Sequence, residues 1–304
     1  MHALEVRNLV KSFDGIKAVD GVSFSVPEGA VFGLIGRNGA GKTTTIRMMM
    51  KIYIPDSGDV IFKGNSIGQS FKDAVGYLPE ERGLYKKMKV IDMLLFLAEI
   101  KGKKGKAVQK SAIEYLERFE LADRKLSKVE DLSKGNQQKI QFIGTILHDP
   151  EFLIFDEPFS GLDPINTNLL KQIILEMKQK GKVIIFSTHL MEFAEKMCDS
   201  VAMIDKGKII LNGKLSDIKQ KYASNNIRLD YNGDISFLKN HSLIEHIEDF
   251  GNTTGIKLKK ENTDQELLKL LVSNNIAVKK FNVDEISLHE IFVSLAGKEV
   301  ADVQ

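Results

Sequence analysis

The chain has 304 residues, 43% of them hydrophobic and 28% charged, with a net charge of +2 and a single cysteine. That length suggests two soluble domains, and no apolar run reaches the ~18–20 residues needed to span a bilayer. Cys198 alone excludes an internal disulfide and fits a reducing compartment, and so small a net charge gives no reason to expect a nucleic-acid partner.

The opening Met1-His2-Ala3-Leu4-Glu5 lacks the basic and apolar regions of a signal peptide, so a cytoplasmic setting is expected. The charge is unevenly spread. Residues 222–304 hold 9 Lys+Arg against 13 Asp+Glu, a net of −4, whereas residues 1–221 carry a net of +6. This shift marks a domain boundary near 221, with a basic half suited to a polyanionic ligand.

Taken in order, Ala3–Leu9 and Val22–Val26 read as antiparallel strands, with a turn at Phe13-Asp14-Gly15 and another at Pro27-Glu28-Gly29. Val31–Ile35 is a buried strand, and Thr44–Met50 a helix. After the Pro55-Asp56-Ser57-Gly58 turn come strands at Asp59–Phe62 and Val75–Pro79. Val90–Ile100 has helical spacing, with Ile91, Leu94, Leu95 and Ala98 on one face. Lys101–Lys106 reads as a solvated basic loop, and Ala107–Phe119 as a further helix. Residues of about 88–150 thus form a helical subdomain.

Strands follow at Glu151–Asp156, Val183–Ser187, Val201–Ile204 and Lys208–Leu211, with helices at Leu169–Lys180 and Leu190–Lys196. This alternation argues for an α/β core. Cys198 falls at a helix end and reads as a half-buried structural thiol. Beyond a helix and linker ending at Ser224-Asn225-Asn226, strands at Ile227–Tyr231, Gly255–Leu258 and Ala277–Val283 mix with helices at Glu266–Val272 and Leu288–Leu295. They suggest a small α+β domain of about 80 residues, near the lower limit for independent folding.

Chemistry is concentrated in three stretches. Gly36-Arg37-Asn38-Gly39-Ala40-Gly41-Lys42-Thr43-Thr44 fits the phosphate-loop pattern G-x-x-x-x-G-K-[ST] and lies between a strand and a helix. Gly36, Gly39 and Gly41 let the backbone curl around an anion, and the helix N-terminus adds partial positive charge. Lys42 would reach the β- and γ-phosphates, and the Thr43 hydroxyl would ligate Mg²⁺. Phe152-Leu153-Ile154-Phe155 runs into Asp156-Glu157. An apolar strand ending in two acids makes sense if its tip faces a metal–phosphate site. Asp156 would bind Mg²⁺ through water, and Glu157 would polarise an attacking water. Leu132-Ser133-Lys134-Gly135-Asn136-Gln137-Gln138 opens a helix with Ser133 as its N-cap.

The Leu-Ser-x-Gly-x-Gln stretch about 20 residues before the acidic strand resembles the signature loop of ABC-type ATPases. Other marks of that family stand in order over residues 3–220. Phe13 stands where an aromatic stacks on adenine, Ser160-Gly161-Leu162-Asp163 resembles the D-loop, and His189 resembles the switch histidine that senses the γ-phosphate. The resemblance implies a P-loop ATPase core of ABC type, with antiparallel-β and helical subdomains over 1–221 and an accessory α+β domain over 222–304. It also implies ATP and Mg²⁺ as ligands. Two cassettes, from a homodimer or a close paralogue, would face head to tail, Ser133 and Gly135 of one closing on ATP held by Lys42 and Thr43 of the other. Integral membrane permease subunits would receive the motion at the cytoplasmic face of the cell membrane.

Two stretches depart from the family pattern. Glu80, in Tyr77-Leu78-Pro79-Glu80-Glu81-Arg82-Gly83-Leu84-Tyr85, replaces a glutamine that touches Mg²⁺ or the water; it either serves the metal or pairs with Arg82. Lys134 and Asn136 replace a glycine and a glutamine in the signature, Lys134 either favouring phosphate or remaining solvated. These variants, with Asp284-Glu285-Ile286-Ser287-Leu288-His289-Glu290-Ile291-Phe292, resemble ATP-binding subunits of bacterial ABC-2 type exporters, including sodium-extrusion and drug-export systems. Other readings weighed are a soluble ABC ATPase acting on ribosome or DNA, and a regulatory nucleotide-binding protein. Residues 90–130 are too short for the coiled coil of DNA-repair members, and only one cassette is present where translation-type members carry two.

Overall fold

The structure is a computed structural model that describes residues 2–81, 83–222, 226–249, 254–260, 263–283 and 286–301. Met1, Arg82, Ser224, Asn225, Asp284 and Glu285, named above, lie outside the described residues.

In chain order the first part comprises β1 (His2–Phe13), β2 (Ile16–Pro27), β3 (Val31–Ile35), α1 (Lys42–Met49), β4 (Ser57–Phe62), β5 (Asn65–Ser66), α2 (Gln69–Ala74), β6 (Val75–Leu78), α3 (Val90–Ile100), α4 (Lys106–Arg118) and α5 (Lys134–Ile146). It continues with β7 (Phe152–Asp156), α6 (Pro164–Gln179), β8 (Val183–Thr188), α7 (Met191–Met197), β9 (Ser200–Asp205), β10 (Lys208–Lys214) and α8 (Leu215–Lys221). Then come β11 (Asn226–Asn232), β12 (Ile244–Asp249), β13 (Thr254–Leu258), α9 (Asp264–Ser273), β14 (Ala277–Val283) and α10 (Leu288–Ala301). Backbone contacts divide the chain into two compact units, 1–215 and 216–304.

The first unit holds two sheets. One is antiparallel, in the order β2-β1-β4-β5. The other runs β10-β9-β3-β8-β7-β6, parallel except where β10 pairs with β9. Their apolar faces share one core, in which Phe24 of β2 stacks on Phe32 of β3 at 5.0 Å and Phe62 of β4 meets Phe152 of β7 at 5.6 Å. Every residue of β3, β7 and β8 is buried, which is why these strands read as unbroken apolar runs. Val31, Phe32, Leu34 and Ile35 each add roughly 1.5–3 kcal/mol of burial. The strand that feeds the glycine loop is therefore firmly anchored.

Parallel register then aligns the strand ends. Ile35 lies opposite Thr188, Asp156 opposite Ser187, and Leu78 opposite Phe155. The residues just beyond β3, β8, β7 and β6 are Gly36, His189, Glu157 and Pro79-Glu80. All four motifs thus leave one carboxyl edge of the sheet, where ligands of open α/β sheets sit.

Helices α3, α4 and α5 pack together, and α5 also packs against β6. Gly144 of α5 admits α3 closely, since a Cβ there would run into Leu97. The buried face of α3 is Val90, Met93, Leu94 and Ala98, while Ile91 and Leu95 are only half-buried. The expected face is thus turned by one residue, because the helix is apolar almost all round and its periodicity fits either register. Lys101 is not solvated as expected: its Nζ donates to Lys72 O and Val75 O, and burial lowers its pKa. Helix α6 starts five residues before the expected Leu169. Asp163 caps it by accepting from Asn166 N at 2.9 Å, and Pro164 occupies its first turn. Cys198 is buried rather than half-buried, and burial pushes its thiol well up.

The second unit is a four-stranded antiparallel sheet in the order β12-β13-β11-β14, with Leu267 and Leu271 of α9 in its core. This is the order of a split β-α-β arrangement, with the first helix reduced to a 3₁₀ turn at Ser236–Asn240.

Candidate active site

The loop between β3 and α1 is shaped by glycine. Gly36 has φ 156° and Gly41 φ 109°. A Cβ on Gly36 would run into the carbonyl oxygen of Ile204, and one on Gly41 would lie 2.5 Å from Ala18 O. No larger residue fits either position. Arg37, Asn38 and Gly39 form the exposed tip, while Thr43 and Thr44 are half-buried in the first turn of α1. Gly41, the N-cap of α1, has no side chain to cap with, so the first-turn N–H groups of Lys42, Thr43 and Thr44 have no acceptor from the helix itself. That is the geometry of an anion cradle.

Lys42 is only 6% exposed, yet it is a cation. Its Nζ donates to Gly36 O at 2.9 Å and Arg37 O at 3.1 Å, and lies 3.4 Å from Glu157 Oε1. This buried ammonium is shared between two carbonyls and one carboxylate, and it lies beside the loop where a polyanion would sit.

Asp156, the last residue of β7, is wholly buried. One oxygen accepts from Ser187 Oγ at 2.5 Å and Thr43 Oγ1 at 3.2 Å, while Oδ2 is buried without a partner. Burial pushes its pKa up, the two hydroxyls oppose this, and the charges of Glu80 and Glu157 add to the rise. Glu157 turns the chain out of the strand with φ 49°, a left-handed conformation costing of order 1 kcal/mol in a non-glycine residue. Its N–H donates to Ser187 Oγ at 3.0 Å, and its Oε2 lies 3.0 Å from His189 Nδ1. An ionised carboxylate only accepts, so the Nδ1 facing it carries the proton.

Lys42, Thr43, Asp156, Glu157 and His189 are therefore one contiguous cluster. Phe13 lies at the β1–β2 hairpin turn, 40% exposed, with its ring edge-on to Tyr53 at 5.3 Å. Asp56 steadies this corner, accepting from Lys11 Nζ at 2.8 Å and Ser12 N at 2.7 Å. Glu80 is exposed in the loop after β6. Ser133 and Gly135 stand apart: among the described residues neither bonds to the Lys42–Glu157 cluster. Ser133 is exposed and caps α5, accepting from Asn136 N at 3.2 Å. Gly135 faces the backbone of Gly161, whose oxygen a Cβ would approach to 3.4 Å.

A family described as ABC transporter matches residues 19–160, and one described as the C-terminal domain of DrrA1-3-like ATP-binding proteins matches residues 213–296. The ABC transporter ATP-binding protein YhaQ of Bacillus subtilis (strain 168) is 42% identical over 294 residues, which is 97% of this chain and 98% of YhaQ. The chain belongs to the ATP-binding proteins of ABC transporters. The linearmycin resistance ATP-binding protein LnrL of the same organism is 30% identical, covering 98% of this chain and all of LnrL. A solved ATP-binding subunit of an ABC transporter superposes with a TM-score of 0.67 at 32% identity, over 72% of this chain and 93% of the other. The chain is thus an ATP hydrolase of ABC type. No helix among its described residues is long and apolar enough to cross a membrane.

In this ABC ATP-binding protein the oxygens of Thr43 and Asp156 fit a hard cation. No cluster of three or more His, Cys, Asp or Glu forms a metal cage among the described residues. Asp156 Oδ2 is buried with no partner among the described residues. Mg²⁺ takes one or two carboxylates and completes its shell from substrate phosphates and water, and the residues here fit that demand. Sequence reasoning missed Ser187, which touches both Asp156 and the Glu157 backbone. The available signal was a polar residue placed late in an otherwise apolar strand.

Proposed function

We propose that this chain is the ATP-hydrolysing subunit of an ABC-2 type exporter, working as one of two facing cassettes and driving separate integral membrane subunits. The division of the active site carries this reading: the Lys42–Glu157 cluster lies at one sheet edge, while among the described residues Ser133 and Gly135 bond to none of it. Head-to-tail pairing with a second copy or close paralogue would supply them. Residues 1–221 serve as the nucleotide-binding domain and 222–304 as the accessory one. The drug-resistance relative and the DrrA-like C-terminal match favour export, at the cytoplasmic face of the membrane.

In this reading Phe13 stacks on adenine. The N–H groups of the Gly36, Asn38, Gly39, Gly41 and Thr44 loop hold the phosphates together with Lys42. Thr43, Asp156 and Glu80 would hold Mg²⁺, which when bound screens the charge between β- and γ-phosphates. Glu157 accepts a proton from the water that attacks the γ-phosphorus. His189 orients Glu157 and senses the γ-phosphate. Ser133 and Gly135 of the opposite cassette add hydroxyl and backbone donors to the same phosphate. Loss of that phosphate removes the bridge between cassettes, and their separation is the motion passed on.

Pull-down of the tagged chain from solubilised membranes tests this. The expected result is co-purification of an integral membrane protein. Recovery with ribosomes and without any membrane protein would overturn it.

A further inference from the structure

One side chain ties the signature helix to the loop that carries Glu80. Gln141 lies in α5, eight residues beyond Ser133, and is 5% exposed. Its Nε2 donates to Pro79 O at 3.3 Å and to Glu81 O at 3.1 Å. Those two carbonyls flank Glu80 on either side. One turn further along, Thr145 Oγ1 donates to Gln141 O at 2.9 Å and reaches Tyr77 O at 3.5 Å. Helix α5 therefore grips the carbonyls of Pro79 and Glu81, with the Thr145 hydroxyl alongside that of Tyr77.

The orientation of the amide follows from its neighbours, since two carbonyls can face only its nitrogen. Its Oε1 is then buried with no partner among the described residues. A leucine or methionine would fill the same volume without leaving an orphaned acceptor. Packing alone therefore does not account for a glutamine here, whereas holding the loop does.

Strand register places that loop at the reacting edge. β6 runs parallel to β7 with Leu78 opposite Phe155. Pro79 and Glu80 thus leave the sheet at the edge where Asp156 ends β7, and the Glu80 charge acts on Asp156.

We infer that Gln141 is a positioning residue for Glu80, fixing how far its carboxylate stands from the Asp156–Thr43 edge according to where α5 sits. The inference rests on the proposed reading that Asp156, Thr43 and Glu80 face Mg²⁺-ATP. Because Ser133 caps the same helix, a displacement of α5 by an opposing cassette is carried through Gln141 to the metal side of the chain's own site.

The test uses Mn²⁺ as the probe, its binding to the full-length protein with a non-hydrolysable ATP analogue followed by electron paramagnetic resonance. Gln141→Met keeps length and bulk but cannot donate; Gln141→Leu is the second variant should the first not fold. The expected result is about a ten-fold loss of Mn²⁺ affinity for Gln141→Met, a similar loss for Glu80→Ala, and no further loss in the double variant. Wild-type affinity in Gln141→Met, wild-type affinity in Glu80→Ala, or losses that add would each overturn the inference. Asp156→Asn separates the two levels. If it leaves Mn²⁺ binding intact, the metal reading itself fails. If it abolishes binding while Gln141→Met binds as wild type, only the role of Gln141 fails.

Discussion

Glu157 and His189 are joined by a 3.0 Å contact between Oε2 and Nδ1, and the other oxygen of the same carboxylate faces Lys42 at 3.4 Å. The side chain proposed to take a proton from water thus stands between the residue after β8, the strand next to its own, and the first residue of α1. His189 meets one oxygen within hydrogen-bond distance and the Lys42 ammonium faces the other as a charge, so the carboxylate is aimed from two sides.

Replacing Glu157 by glutamine preserves the shape and removes the proton acceptor. Turnover is expected to fall ~10²–10⁴-fold, with ATP still bound. An ATP-dependent dimer should then accumulate, visible by light scattering coupled to gel filtration. Unchanged turnover would exclude Glu157 as the base.

Asp156 gives a stability prediction of opposite sign to its effect on activity. Burial raises its pKa in the folded chain above the unfolded value. Ionising it therefore costs folding free energy, and stability drops as pH rises from the unfolded pKa through the folded one. Asp156→Asn should abolish ATP turnover yet raise nucleotide-free stability at neutral pH. The gain should shrink in acid. Urea titrations at two pH values check both parts, and a less stable variant at neutral pH would refute the assignment.

His148 follows α5 and is buried, with its pKa lowered to about 4 by burial first and then by the Lys101 charge. Below the ordinary imidazole range the unfolded chain takes up a proton that the folded chain refuses. Stability from this residue is full above ~6.5 and declines as pH falls toward 4. Between pH 7.5 and pH 5 the loss should be ~1–2 kcal/mol, and a His148→Leu variant should lose less over the same span.

The glycines of the phosphate loop should not respond alike. Gly36→Ala forces a Cβ against the Ile204 carbonyl, and ~2–4 kcal/mol of stability or a displaced loop should follow. At Gly39 the φ is 80° but nothing lies within 4 Å, so alanine there should cost only ~1 kcal/mol. Thermal unfolding and ATP-analogue binding of the two variants provide the comparison.

Glu80→Gln should retain ATP turnover at saturating Mg²⁺, because an amide oxygen can still face the cation. Complete loss would show that the charge itself is required.

The strands that carry the chemistry were legible because they are buried on both faces. β12 was not: Ile244 and Ile247, core-facing residues three apart, break the alternation expected of a strand. A bulge between Ile244 and His246 shifts the register, so both still face the core. Helix α2 has only six residues, too few for a period to show. Within the site, the loop, Asp156, Glu157 and His189 could be read from motif spacing. Ser187 and Gln141 could not, since their roles come from what register and helix packing set opposite them.

Ser133 caps its helix by lending an oxygen lone pair to Asn136 N. Aspartate or asparagine would cap equally well, but a carboxylate would turn a phosphate away and an amide has a different reach. A hydroxyl whose oxygen is engaged inward still has a proton to offer outward. In the proposed head-to-tail pairing that proton would meet the phosphate held by the opposite cassette, a demand narrower than helix capping alone makes: local folding accepts a wider vocabulary than such a ligand would.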